Sequence, residues 1–378
     1  MKILVLCYEY PPLGGGGGRV AQSIATEMVK RGHAVRVQTA ALGWRSARET
    51  AGGVEIFRTA SGRRAPDTCR VHEMAAYCAT SFFPTLRHIR AWKPDVIHAH
   101  FAMPTGMLAW AVHRLTGVPY VLTAHLGDVP GGVPEQTDTL FKIIGPVARQ
   151  VWARAAAATA VSSFVQELAE RAYGRAVERI LNGIDLGDEG GRQAVSGIGE
   201  PPHFVFVGRF SEQKQPRVFT EALARLRAQP WRATMIGDGP HRPAVEESIA
   251  RHDLAGRVHL TGWLAADEVQ RVLAKADALV MPSLSEGLPV AAIEALKHGL
   301  AIVASDIPGV RDVLADAVNG STFPIRDASA LADRLGALLG NPVTLLTMKR
   351  ASWEKARVFD LTRIAAEYER VLSGAAGR

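Results

Sequence analysis

Residues 277–312 read D-A-L-V-M-P-S-L-S-E-G-L-P-V-A-A-I-E-A-L-K-H-G-L-A-I-V-A-S-D-I-P-G-V-R-D, and this stretch decides the fold. Ala278-Leu279-Val280-Met281 is short, apolar and uninterrupted, as a strand buried on both faces of a parallel sheet must be. Pro282 and Ser283 end it, and Glu286-Gly287-Leu288 predict a tight connection. Pro289 suits the first position of a helix, where the amide it lacks has no partner anyway. Val290, Ile293, Ala295 and Leu296 carry that helix to a stop near Gly299, and Ala301-Ile302-Val303-Ala304 return as a second buried strand. The unit is β-α-β. Its first loop sets a carboxylate, Glu286, beside helix-start amides that suit an anion. Glu294 lies eight positions on, within about 80° of Glu286 if helical geometry extends back that far.

Carboxylates accept from sugar hydroxyls while amides take a phosphate, so the pair fits a phosphorylated, polyhydroxylated ligand. The spacing alone also allows a capping Glu286 and a solvated Glu294. The surrounding wording, P-S-x-x-E-G-L-P-x-x-x-x-E-A-L, closely resembles the donor-site signature of retaining glycosyltransferases of family 4. That resemblance implies an α/β protein of the GT-B fold, with two Rossmann-like doubly wound domains facing a central cleft.

The 378 residues suit two domains, and 47 % hydrophobic residues with 36 Gly and 21 Pro suit a globular chain with many turns. No apolar run approaches the roughly 20 residues of a membrane span. The N-terminal M-K-I-L-V-L-C-Y-E-Y is not a signal peptide, because its apolar part is short and Glu9 and two prolines follow. Cys7, Cys69 and Cys78 form no C-x-x-C pair, which fits a reduced, cytoplasmic setting. The net charge of +7 falls wholly before residue 186, where 21 Lys and Arg meet 14 Asp and Glu. A basic half can meet an anionic membrane face or an acidic acceptor. Nucleic acid is not expected, since no recognition motif accompanies the charge.

The first half opens with a strand at Ile3–Leu6, a glycine run at Gly14–Gly18, a helix from about Arg19 to Arg31, and a strand at Ala34–Gln38. A dinucleotide-binding reading is weak here: the glycines start seven residues after Cys7, and no acid follows the second strand. The P-P-x-x-G-G pattern instead resembles the N-terminal loop of family 4 enzymes, which makes Gly16 and Gly17 candidates for donor contact. Strands at 95–100 and 118–123 deliver His100 and His125 to their C-terminal ends, where open α/β sheets bind ligands. His98 reads as structural, and His100 as either cleft-lining or helix-capping. D-V-I-H-A-H-F and T-A-H-L-G-D resemble the family's acceptor-side motifs, with Leu126 where glycine is usual. The resemblance assigns His125 to the donor sugar or acceptor, and His100 and Asp128 to the acceptor side. Met74–Trp92 (with Phe82, Phe83, Leu86, Ile89, Arg87 and Arg90) and Thr139–Arg154 could touch a membrane surface or be core-facing helices with basic edges. Pro146 should kink or divide the second of these. Glycine, proline and charge from 186 to 202 predict a linker between a first domain, 1–185, and a second, 203–357.

The second domain restarts with a strand at His203–Val207, then Gly208-Arg209-Phe210-Ser211-Glu212-Gln213-Lys214. Arg209 and Lys214, five apart beside a helix start, can clamp a diphosphate. V-G-R-F-x-x-x-K matches the family's phosphate-binding wording, which also draws Gly208 into the donor site. Gly262 opens the loop that contacts the nucleotide base in the family. Asp306-Ile307-Pro308-Gly309-Val310-Arg311-Asp312 departs from the usual G-G-x-x-E. Trp353–Leu372 reads as helical, and in GT-B enzymes a C-terminal helix (here 358–378) packs back on the first domain.

The resemblance implies sugar transfer from a UDP- or GDP-linked donor to a hydroxyl on a glycan, lipid-linked or small-molecule acceptor. Arg209, Lys214 and the amides after Glu286 would hold charge on the leaving diphosphate. Glu286, Gly287, Leu288 and Glu294 would hold the donor sugar and ribose. With no D-x-D in the chain, no bridging metal and no other cofactor is expected. A nucleotide-sugar epimerase or hydrolase on the same scaffold and a non-catalytic sugar-binding protein stand as alternatives.

Overall fold

The computed structural model describes residues 1–187, 195 and 197–377. The chain forms two compact units, one of residues 1–183 with Leu361 onward and one of Ile184–Asp360. Of the expected linker at 186–202, residues 188–194 and 196 lie outside the described residues.

In the first unit the elements run β1 (Lys2–Leu6), α1 (Gly16–Lys30), β2 (Ala34–Leu42), β3 (Ala47–Ala51), β4 (Val54–Arg63), α2 (Val71–Trp92), β5 (Val96–His100), α3 (Thr105–Thr116), β6 (Tyr120–Ala124), α4 (Pro134–Arg154), β7 (Ala157–Ala160), α5 (Ser163–Tyr173) and β8 (Glu178–Arg179). The sheet order is β3-β4-β2-β1-β5-β6-β7-β8, parallel apart from the β3–β4 pair. β1, β5 and β6 lie mid-sheet with nearly every residue buried, so the Ile3–Leu6 run of β1 has no solvent face to supply with polar residues, and β5 and β6 bury His98, His100 and Thr123 among their apolar residues. The glycine run is not all loop, because Gly16–Gly18 form the first turn of α1. α4 continues through Pro146 rather than dividing there. On α2, Leu86 and Ile89 are buried, whereas Phe83 is 74 % exposed and Arg87 and Arg90 face solvent.

In the second unit the elements are β9 (His203–Val207), α6 (Pro216–Arg225), β10 (Arg232–Ile236), α7 (Arg242–Arg251), β11 (Val258–Gly262), α8 (Ala266–Leu273), β12 (Ala278–Met281), α9 (Val290–Lys297), β13 (Ala301–Ser305), β14 (Gly320–Phe323), α10 (Ala328–Gly340) and α11 (Pro342–Ala356). Its sheet, β11-β10-β9-β12-β13-β14, is parallel throughout. Phe204, Phe206, Val280 and Val303 from the sheet meet Phe219, Leu223, Leu331 and Leu335 from the helices in one apolar core. A buried ion pair pins the entry to this core: Lys349 Nζ lies 2.7 Å from Asp277 Oδ1, and the Asp277 carboxylate also accepts the amides of Gly199 and His203.

The expected helix across Trp353–Leu372 is interrupted. α11 ends at Ala356, a 3-10 turn covers Arg357–Phe359, and α12 (Leu361–Ala376) begins after Asp360. Asp360 is extended and bridges Ile184, which keeps it out of either helix. α12 belongs to the first unit, where it packs on α1, β5 and β6.

Candidate active site

In the second unit the loops at the C-terminal ends of β9 and β12 are joined. The Lys214 ammonium donates to Glu286 Oε1 at 2.5 Å, and the Ser283 hydroxyl reaches the same oxygen at 2.7 Å. Gln213 adds two links, its Nε2 donating to the Ser285 carbonyl and its own carbonyl accepting the Leu284 amide. Glu286 is buried and Lys214 is half-buried, so their charges meet largely shielded from water. Among the described residues both bonds to the Glu286 carboxylate fall on Oε1, which leaves Oε2 as an acceptor. Arg209 is half-buried on the same loop, its stem crossing close to Gly239. The Gly208 amide ties this loop to β10 through the Ile236 carbonyl, and the Gly262 carbonyl accepts the Gly237 amide beside it.

The geometry around Glu286 differs from helical extrapolation. Pro289 caps α9 in an extended conformation and does not occupy its first turn, so Glu286 lies on a loop. Gly287 and Leu288 are buried in that loop, and Glu294 is buried on α9, not solvated. The first amides of α9, which a helix start leaves without an intrahelical partner, follow Glu286 four residues on in the chain. An anion fits there: one cation in direct contact, a second on the same loop, and a helix start.

The first unit builds a separate cluster. His125 Nε2 lies 3.2 Å from Nδ1 of the wholly buried His100, and the Phe101 ring lies tilted against His125 with centroids 4.4 Å apart. A Cβ placed on Gly17 would sit 2.5 Å from the Phe101 ring and 3.3 Å from His125 Nδ1, so only glycine lets α1 approach this closely. Gly16 opens the same helical turn one residue earlier. Burial holds the His125 pKa down at about 4 against the opposing pull of Asp128, and His98 at about 3. His100 is likewise pushed well below the ordinary range by burial. All three rings are therefore neutral near pH 7.

Two of the residues expected on the acceptor side are turned inward. Asp128 is buried and spends both oxygens on backbone amides, Oδ1 on His125 and Leu126 and Oδ2 on Ala102 at 2.6 Å. It shapes the loop carrying His125, and a carboxylate so occupied has little left for an acceptor. His100 has no exposed surface, so it meets His125 and not a ligand. His98 is buried with Nε2 2.8 Å from the Thr123 hydroxyl.

Gln213, Ser283 and Gly309 escaped the motif reading. A Cβ on Gly309 would lie 1.8 Å from the Glu286 carbonyl oxygen, so the turn after β13 supports the Glu286 backbone from beneath. The glycine was the available signal, obscured by the unusual wording around it. Among the described residues no group of three or more His, Cys, Asp or Glu is disposed to hold a metal ion.

Two doubly wound parallel units with ligand-type loops at their strand C-termini define the GT-B class. Residues 14–188 match the family description Glycosyltransferase Family 4, and residues 201–341 match Glycosyl transferases group 1. TuaC of Bacillus subtilis (strain 168), named as a glycosyltransferase of teichuronic acid biosynthesis, is 30 % identical over 292 residues, which cover 75 % of this chain and 70 % of TuaC. Among solved structures, sucrose-phosphate synthase from Thermosynechococcus elongatus superposes with a TM-score of 0.80 at 18 % identity, covering 98 % of this chain and 97 % of that one. HepE of Anabaena in complex with UDP-glucose superposes with a TM-score of 0.77 at 20 % identity, covering 99 % of each chain. This chain belongs to the group 1 glycosyltransferases of family 4, enzymes of the GT-B fold.

Proposed function

We propose that the enzyme moves a sugar from a nucleotide diphosphate to an acceptor hydroxyl with retention at the anomeric carbon. The observation that carries this reading is the Lys214–Glu286 contact at the start of α9, with Arg209 on the same loop. In the reaction the bond between the anomeric carbon and the β-phosphate oxygen breaks, and its electron pair leaves with the diphosphate. The acceptor oxygen bonds to the anomeric carbon on the same face, and its proton passes to the departing diphosphate. Arg209, Lys214 and the α9 amides stabilise the charge that builds on the leaving group, often the largest catalytic contribution. Glu286 Oε2 accepts from donor sugar hydroxyls, Glu294 from the ribose, and His125 meets the donor sugar or acceptor. Protein cations fill the place a divalent metal takes in other transferases, so no metal or other cofactor is required.

The basic balance of the first 185 residues favours an acidic or lipid-linked acceptor. TuaC, named for teichuronic acid biosynthesis, is in keeping with that. If the acceptor is membrane-borne, exposed Phe83 with Arg87 and Arg90 on α2 is the face to meet it, and no described helix is long and apolar enough to cross a membrane. Sedimentation with anionic vesicles would then weaken in salt and with Arg87→Glu plus Arg90→Glu. The function itself is tested with a panel of UDP- and GDP-sugars, with and without EDTA, read as nucleotide diphosphate released and then as product mass with candidate acceptors. Release in EDTA together with a glycosylated acceptor supports the proposal. An isomerised sugar, free sugar alone despite acceptors, or an absolute need for Mg²⁺ or Mn²⁺ argues against it.

A further inference from the structure

A neutral imidazole has one N–H and one bare nitrogen, so where two neutral rings meet, one must donate and the other accept. His100 Nδ1 and His125 Nε2 meet at 3.2 Å, and His100 Nε2 is fully buried with no hydrogen-bond partner among the described residues. Two arrangements satisfy the contact. If His125 donated through Nε2–H, the single proton of His100 would sit on Nε2, a buried N–H with nothing to receive it. If His100 donates through Nδ1–H, its Nε2 is a bare lone pair, and the orphan is an acceptor. Orphaned buried donors are the rarer and costlier of the two.

We infer that His100 is a positioning residue that fixes the tautomer of His125, leaving His125 with its proton on Nδ1 as a neutral hydrogen-bond donor. His125 Nδ1 is the nitrogen that faces Gly17 at the start of α1. Among the described residues the His125 ring makes its hydrogen bond through Nε2, to His100. The surroundings hold both rings in place. Phe101 lies tilted against His125, Asp128 clamps its backbone amide, and His98 lies against His100 with ring centroids 4.1 Å apart. His98 is fastened in turn to Thr123, and Thr123 to Thr159. Burial keeps all three imidazoles uncharged near pH 7, so His125 offers an oxygen ligand one N–H without a cation's desolvation cost.

This inference rests on the proposed function only for the ligand, a sugar oxygen. The tautomer itself is a property of the free protein. It is read from long-range ¹H–¹⁵N spectra of the full-length chain labelled at its 12 histidines, with the His125 signals identified by their loss in His125→Gln. The expected wild-type result is a protonated Nδ1 and a bare Nε2 on His125. A protonated Nε2 overturns the inference. His100→Asn places an amide N–H about where the ring Nδ1–H stands and should keep the wild-type pattern. His100→Leu removes the donor that holds the His125 proton on Nδ1, so the single tautomer should give way to a mixture of the two. In transfer assays His100→Leu should lower kcat, by at most the roughly 10²-fold of removing one transition-state donor outright, and His100→Asn should stay within about threefold of wild type. Equal losses in the two variants, with both folded by circular dichroism, would also overturn it. If His100→Leu does not fold, the wild-type and His100→Asn spectra still decide. A wild-type Nδ1–H in a protein that releases no nucleotide from any donor would leave the tautomer standing and defeat the proposed function instead.

Discussion

Lys214 and Glu286 are 72 residues apart in the chain and 2.5 Å apart in space. Each was legible in the sequence as a charge of the right type in a familiar word, but their contact was not. It depends on β9 and β12 lying side by side, a long-range pairing that no local pattern encodes. The same holds for Asp128, whose carboxylate read as free to meet a ligand until three backbone amides were found around it. Buried histidines add a consequence for stability. The folded pKa values of His98 and His125, about 3 and about 4, lie below the ordinary 6.5. Below pH 6.5 the unfolded chain takes up protons that the fold refuses, so unfolding gains free energy. Their contribution is intact above about pH 6.5 and is lost as pH falls towards the folded values. Thermal unfolding followed from about pH 7.5 to about pH 5 should show Tm decreasing through the lower part of that range. A Tm that stays flat to pH 5 would contradict this account of the cluster.

At the scale of elements, strands with unbroken apolar runs were readable because burial on both faces leaves them no alternative composition. The β3–β4 hairpin was not read. β3 is exposed along its whole length, so it carries no apolar signal. Its cue was the Gly52-Gly53 pair, with φ of 57° and 77° at the turn, a geometry that favours glycine. Charged cross-strand pairs, Arg48 with Glu55 and Arg58 with Glu49, hold that edge. The turn after β13 carries a sharper expectation. Gly309→Ala would push a methyl group against the Glu286 carbonyl, and overpacking of this kind costs about 1–3 kcal/mol. Because the displaced backbone is that of Glu286, kcat/KM should fall at least about tenfold while the variant remains folded, since small misplacements of a catalytic group are expensive. Kinetics beside a thermal melt would check this, and wild-type kcat/KM in Gly309→Ala would separate Glu286 from the chemistry.

For the whole molecule, a chain of 378 residues divides into two compact units, each built on a doubly wound sheet. The division at Gly183 and the return at Leu361 were visible only approximately, because helical periodicity ran on through Asp360 without a proline or glycine to stop it. The buried Lys349–Asp277 pair is where the second unit is most exposed to a single substitution. Lys349→Met would leave the Asp277 carboxylate buried without its counter-charge, a loss of about 3–5 kcal/mol. Denaturant unfolding of wild type and variant should show it, and a change below about 1 kcal/mol would mean that the amides of Gly199 and His203 suffice for Asp277. The central claim concerns the ligand of the second unit, and calorimetric titration with UDP and GDP tests it most directly. Wild type should bind at least one of the two without added metal, and Lys214→Ala should weaken that binding about tenfold to a hundredfold, the value of one charge-assisted hydrogen bond. Failure of wild type to bind either nucleotide, or equal affinity in Lys214→Ala, would contradict a diphosphate site at Lys214 and Glu286.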